Sequence, residues 1–222
     1  MAFRPRTEIL PTAQRALWPA LGLAAGLGFV LYGGTAIALR LAHRASIDFD
    51  LFTDRDLDRR SLDAAFPFIA RAVVLQDRPD TLTVLAGTEG GEASVKISFF
   101  GGLGFGRVGA PDTTDDGVLQ VASLDDLMAT KLKVLLQRVE AKDYIDVAAM
   151  IRAGAGLARA LAGAEALYGP AFQPAECLKA LVWFEGGDLD ALSRADRTTL
   201  AAAAAAVREL PSVSVVSRRL AA

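Results

Sequence analysis

Asp48 and Asp50 are the residues whose types and spacing first suggest chemistry. They lie in Arg44-Ala45-Ser46-Ile47-Asp48-Phe49-Asp50-Leu51, where polar and apolar residues alternate. That period reads as a strand, in which side chains two apart share a face. Phe49 and Leu51 then point into a core, and both carboxylates point out together. Carboxylates side by side repel unless a positive charge sits between them. A hard divalent cation, Mg2+ or Mn2+, answers that need, because it prefers oxygen ligands and accepts phosphate oxygens beside them. Upstream, Gly33-Gly34-Thr35 opens onto a short apolar segment. Backbone N–H groups in such a turn can hold a phosphate for the metal to share. Gly33 and Gly34 permit close approach of backbone to phosphate, and Thr35 adds a hydroxyl donor. Two plainer readings stand beside this one: a solvated strand edge for the aspartates, and an ordinary strand–helix turn for the glycines.

The elements that must position these residues come from a chain of 222 residues, enough for one large domain or two small ones. Its 24 basic and 26 acidic residues leave it near neutral, so any nucleic-acid contact would have to be a local patch. Cys177 and His43 are the sole cysteine and histidine, which excludes a disulfide framework and a Cys/His zinc site and suits a reducing cytoplasm. Residues 16–39 carry no charge and are numerous enough for a membrane span. Pro19 and the glycines at 22, 26, 28, 33 and 34 break that run, so no membrane segment is expected. A leader peptide is disfavoured by Glu8 and Pro11.

Within that run an apolar helix is expected from about Thr12 to Leu27, then a buried strand, Phe29 to Tyr32. The Gly-Gly-Thr turn and a helix to about His43 follow, then a strand from Ile47 to Phe52. Asp56 to Ala72 has helical periodicity with Leu57, Leu62, Ala65, Phe66 and Ile69 inward, and Pro67 predicts a kink or an early end. Short strands are expected at 73–76, 81–86, 92–100 and 118–121, with turns at Gly90-Gly91 and across the polar stretch 111–117. Ser123 has N-cap chemistry for a long helix to about Val139. A second helix is expected from Lys142 to Ala153, and further alanine- and leucine-rich helices after it. The alanine tract at 201–206 needs no function, alanine being the best helix former. The expected division is an α/β core at 1–122 and a helical region at 123–222 that completes the active-site cleft.

Two further groups of residues extend the pattern: Lys131-Leu132 with Arg138, and Lys142-Asp143-x-x-Asp146-Val147. In this order, after Gly33-Gly34-Thr35 and Arg44-x-Ser46-x-Asp48-x-Asp50-Leu51, they resemble the motifs of the nucleotidyltransferase-like toxins of the AbiEii/AbiGii type. The resemblance runs from about residue 29 to 152. It implies an α+β, polymerase-β-like nucleotidyltransferase core, a small mixed sheet with flanking helices, followed by a C-terminal helical region. It implies transfer of a nucleotide from an NTP to an acceptor, RNA such as tRNA or a protein. It also implies a cytoplasmic toxin neutralised by a separately encoded antitoxin. Asp48 and Asp50 would then be catalytic and hold the metal, with Lys131 and Asp143 as further catalytic residues. Gly33, Gly34, Thr35, Arg44, Ser46 and Lys131 would bind nucleotide phosphates.

The residues themselves add detail. Lys131 and Arg138, seven apart, would share one face of a helix. Lys131 could face the β- and γ-phosphates as a point charge, or be a plain exposed lysine beside Lys133. Asp143 and Asp146 would share a helix face and favour its first turn. Asp143 suits a base or a partner that orients Lys131, and Asp146 a brace. Arg44 suits pairing with a carboxylate or phosphate, and Ser46 a hydrogen bond to the backbone. His43 is explained by a helix C-terminus.

One departure stands out. Nucleotidyltransferases of this fold often carry a third carboxylate on a later strand. In 92–100 alternation puts Glu92, Ser94, Lys96 and Ser98 on one face, with Ser98 where the acid would follow Lys96-Ile97. One metal would suffice, with triphosphate and water filling its shell, or Glu92 or Asp143 would substitute, or activity would be weak. A nucleotidyltransferase fold that binds without transferring is the alternative function. Small-molecule modification is a third. Arg152, Arg159, Lys179, Arg194, Arg197, Arg208, Arg218 and Arg219 would either line an RNA surface or be solvated helix faces.

Overall fold

The computed structural model describes residues 2–87 and 94–222. In chain order the elements are β1 (Ala2–Phe3), α1 (Thr12–Leu17), β2 (Val30–Tyr32), α2 (Gly33–Leu41), β3 (Asp48–Phe52), α3 (Arg59–Ala65), β4 (Val73–Arg78), β5 (Thr81–Gly87), β6 (Ser94–Phe100), β7 (Asp112–Thr114) and β8 (Gln120–Val121). The helices α4 (Leu124–Leu135), α5 (Ala141–Arg152), α6 (Leu157–Tyr168), α7 (Pro174–Val182) and α8 (Arg194–Ala206) follow. The chain forms two compact units. One comprises 1–106, 110–123 and 217–222; the other comprises 107–109 and 124–216.

The first unit holds every described strand, in one mixed sheet of order β1-β7-β8-β2-β3-β6-β5-β4. β2 runs antiparallel to β3, and β3 parallel to β6. Phe49 and Leu51 are fully buried, as their alternation with the aspartates requires, and Trp18 packs 6.2 Å from the Phe49 ring. The expected helix over 12–27 is mostly absent. α1 stops at Leu17, Pro19 turns the chain into a short 3-10 segment at Trp18–Leu21, and turns follow to β2. The uncharged run therefore divides between turns, a three-residue strand and α2, and no helix among the described residues is long and apolar enough to cross a membrane.

Other boundaries also moved. α3 begins only at Arg59, N-capped by Asp58, and stops before Pro67, whose ring pushes Phe66 out of helical backbone. The polar stretch 111–117 contains β7, which pairs with β1. Neither strand was expected: β1 is two residues long, and β7, Asp-Thr-Thr, has no apolar residue to mark it. The Gly90-Gly91 turn and Glu92 lie outside the described residues.

The second unit is helical: α4 packs against α5, α6 and α7, and α5 against α8. α4 ends four residues earlier than expected, so Arg138 lies in the loop before α5 and does not share a helix with Lys131. Asp126, 1% exposed in the first turn of α4, accepts hydrogen bonds from the backbone N–H groups of Val108 (2.7 Å) and Gly109 (3.1 Å). That carboxylate ties 107–109 into the helical unit. Asp126→Ala would strand both donors and is expected to destabilise by about 2 kcal/mol or more. The readout is a fall in Tm of roughly 4–8 °C by circular dichroism.

Candidate active site

In the sheet-bearing unit, β2 delivers the chain straight onto the carboxylate face of β3. Tyr32 pairs with Asp50, and the next residue, Gly33, starts α2. Gly33 has φ +75°, and a Cβ on it would overlap the Asp50 carboxylate. A Cβ on Gly34 would fall 2.6 Å from Arg44 Nη2 and 3.0 Å from Ser46 Oγ. Gly33 is thus favoured by its left-handed backbone, and both glycines leave room for the side chains of Asp50, Arg44 and Ser46.

Thr35 and Ser46 brace this arrangement. Thr35, expected as a phosphate-binding hydroxyl, is 1% exposed; its Oγ1 lies 2.9 Å from Ser46 Oγ and donates to the Asp48 carbonyl oxygen. The pair fixes α2 against the start of β3. Arg44 keeps its guanidinium over Gly34 and donates from Nη1 to the Ala45 carbonyl at 2.9 Å.

Asp48 and Asp50 share one face of β3, and both are partly exposed. Register places Lys96 of β6 opposite Asp48 and Ser98 opposite Asp50. Lys96 Nζ lies 2.8 Å from Asp48 Oδ2, with the two side chains 41% and 31% exposed. Pairs this open contribute about 0–1 kcal/mol. Ser98 is buried and its Oγ lies 3.3 Å from Thr83 Oγ1. The donor set suits a hard cation, being two accessible carboxylates on one face with only oxygen ligands. No group of three or more acidic, histidine or cysteine side chains that could hold a metal occurs among the described residues.

In the helical unit, α4 and α5 bring a second set of charges together. Lys131, 7% exposed, places Nζ 2.6 Å from Asp143 Oδ1 and 2.8 Å from Asp146 Oδ2. From the loop, Arg138 donates through Nε to Asp143 Oδ2 at 2.8 Å and through Nη2 to Oδ1 at 3.1 Å. Both aspartates are fully buried. Burial alone pushes the Asp143 carboxyl up, but the hydrogen bond from Arg138 and the Lys131 charge outweigh it and hold the group below its ordinary value. Asp143 is therefore a poor proton acceptor and a good clamp on Lys131. Asp146 grips the same ammonium, a role beyond the generic brace its spacing suggested.

Several basic residues of the same unit are engaged within it. Arg152 pairs with Asp196 at 2.8 Å, Arg159 with Asp125 at 2.9 Å, and Lys179 with Glu176 at 2.9 Å. Arg197 reaches the carbonyls of Leu189 and Leu192 and lies over the Phe184 ring. Cys177 is buried, and desolvation pushes its thiol up to about 12, which makes it inert.

The family model described as "Nucleotidyl transferase AbiEii toxin, Type IV TA system" matches residues 23–216. The chain belongs to this family. An uncharacterized protein of Aquifex aeolicus (strain VF5), aq_aa25, is 29% identical over 141 residues, which is 63% of this chain and 65% of that protein. The chain thus spans slightly under two thirds of that relative's length. The crystal structure of a putative nucleotidyltransferase from H. pylori is similar with a TM-score of 0.57 and 15% identity, covering 86% of this chain and 91% of the other. That likeness bears out the expected fold class, a small mixed sheet with flanking helices.

Two outcomes follow from the geometry. Gly33→Ala should cost about 1–3 kcal/mol for the left-handed backbone alone and displace the Asp50 carboxylate, lowering both Tm and metal binding. Asp143→Ala removes the carboxylate shared by Lys131 and Arg138, while Asp146 and Glu140 remain as their partners, and should destabilise by about 1–3 kcal/mol at neutral pH. The stability Asp143 confers is present above its unfolded-chain pKa of about 3.9 and is lost as pH falls through the lower folded value. Denaturant titrations of wild type and Asp143→Ala should therefore differ by a constant amount above pH 5, and converge only below about pH 4.

Proposed function

We propose that this chain is a nucleotidyltransferase that uses Mg2+ or Mn2+ to transfer a nucleotide from an NTP to an RNA acceptor such as tRNA. It would act as the toxin of a two-component system with a separate antitoxin protein. The observation that carries the reading is the pair Asp48 and Asp50, held on one face of β3 against the glycine start of α2. Family membership supports the toxin role.

Transfer of this kind needs little covalent help from protein; it needs positioning and charge neutralisation. When bound, the metal supplies neutralisation of the triphosphate and orientation of the attacking hydroxyl. The chain's own residues do the rest. Asp48 and Asp50 present oxygen ligands, and the backbone at Gly33 and Gly34 approaches without a side chain in the way. Arg44 places a fixed charge beside Gly34. Thr35 and Ser46 hold α2 and β3 in register, so the carboxylates need no reorganisation on binding. In the helical unit, Asp143 and Asp146 fix the position of the Lys131 ammonium.

The test is incubation of the purified chain with each labelled NTP, Mg2+ and total RNA, followed by measurement of labelled RNA and released pyrophosphate. Asp48→Ala is expected to lower labelling by at least about 100-fold, the upper range for disturbing even the groups behind a metal ligand. Undiminished labelling by that variant would reject the site. The buried serine opposite Asp50 favours a second reading, binding without transfer. Nucleotide binding with no pyrophosphate release on RNA or protein acceptors would select it.

A further inference from the structure

Lys96 does not belong to any of the family motifs above, yet its ammonium pairs with the Asp48 carboxylate. Parallel pairing of β3 with β6 puts it beside Asp48 on the same side of the sheet, with Nζ 2.8 Å from Oδ2. We propose that Lys96 is a built-in counter-ion: it occupies Asp48 until a metal–nucleotide complex arrives, and is then released to bind the incoming phosphates. The proposal rests on the nucleotidyltransferase reading and deepens it.

Three observations carry it. First, two carboxylates on one strand face need a compensating charge while no metal is present, and Lys96 supplies one directly. Second, the contact is open to solvent on both sides, with 41% and 31% of the side chains exposed. A cation that must be displaced has to be held this weakly; the fully buried partners of Lys131 show the opposite design in the same chain. A divalent ion brings twice the charge to the same oxygen and outcompetes an exposed ammonium. Third, Lys96 is rooted on β6, the strand beside the aspartates, on a flexible four-carbon stem. Once off Asp48, its ammonium stays within reach of any phosphate that shares a metal with Asp48. A point charge with three rotatable donors suits that task. Ser98, opposite Asp50, is neutral, so it adds no further carboxylate beside the ammonium.

The two halves of the proposal pull in opposite directions, which makes it testable. Wild type, Lys96→Met and Lys96→Arg would each be titrated as the full chain, first with Mn2+ alone by electron paramagnetic resonance. A second titration, by calorimetry, would use Mg2+ with a non-hydrolysable α,β-imido NTP. Lys96→Met should bind Mn2+ alone several-fold more tightly, because its competitor is gone. It should bind the Mg2+–nucleotide complex about 5- to 20-fold more weakly, as expected for loss of one charge-assisted contact. Lys96→Arg should stay near wild type in both titrations. Unchanged Mn2+ affinity in a folded Lys96→Met chain would overturn the counter-ion role, and unchanged or tighter nucleotide binding would overturn the phosphate role. Either result leaves the nucleotidyltransferase reading standing if wild type binds the nucleotide. A folded wild-type chain that binds neither Mn2+ nor nucleotide would overturn both. Lys96→Gln, neutral and polar, repeats the measurement should Lys96→Met fold poorly.

Discussion

The close approach between the glycine start of α2 and the polar face of β3 is the constraint that organises the candidate site. A Cβ at Gly33 would overlap the Asp50 carboxylate, and one at Gly34 would press on Arg44 and Ser46. With glycine there, the backbone at the start of α2 lies directly against those side chains. Everything else secures that approach. Tyr32 pairs with Asp50 to set its height along the strand, Thr35 and Ser46 lock the helix to the strand, and Phe49 and Leu51 anchor the far face in the core.

The same chain uses charge in two different ways. Around Lys131 the ammonium and both aspartates are buried, and each carboxylate has at least one close cation. Buried ion pairs of this kind confer a fixed geometry more than net stability. Around Asp48 the pair is open and weak, a property suited to exchange. Burial, rather than residue type, separates the structural lysine from the exchangeable one.

Much of the site was legible in the sequence because its signals are local. The period of two over 46–51 placed Asp48 and Asp50 on one face, whereas the glycines before α2, read as room for a phosphate, lie against the side chains of Asp50, Arg44 and Ser46. Order along the chain then identified the family. What was not legible depends on register or on very short elements. Lys96 could be assigned a strand face, but only the pairing of β3 with β6 sets it beside Asp48. Arg138 was expected on the helix of Lys131. The helix ends at Leu135, and the arginine reaches Asp143 from the loop. The long helix expected over 12–27 failed because Pro19 and the glycines outweighed apolar content, while β1 is two residues long and β7 has no apolar residue to mark it.

The division of the chain into interleaved units has a consequence in time. Residues 217–222 belong with the sheet: Leu220 is fully buried there, its N–H donates to Asp54 at 2.9 Å, and the Ala222 N–H donates to Gln120 at 3.0 Å. These residues are translated after the whole helical unit. The unit that carries Asp48 and Asp50 therefore cannot complete its packing while the ribosome is still making the helices, although its strands emerge first. Until synthesis passes residue 217, the nascent sheet-bearing unit lacks the segment whose backbone bonds to Asp54 and Gln120.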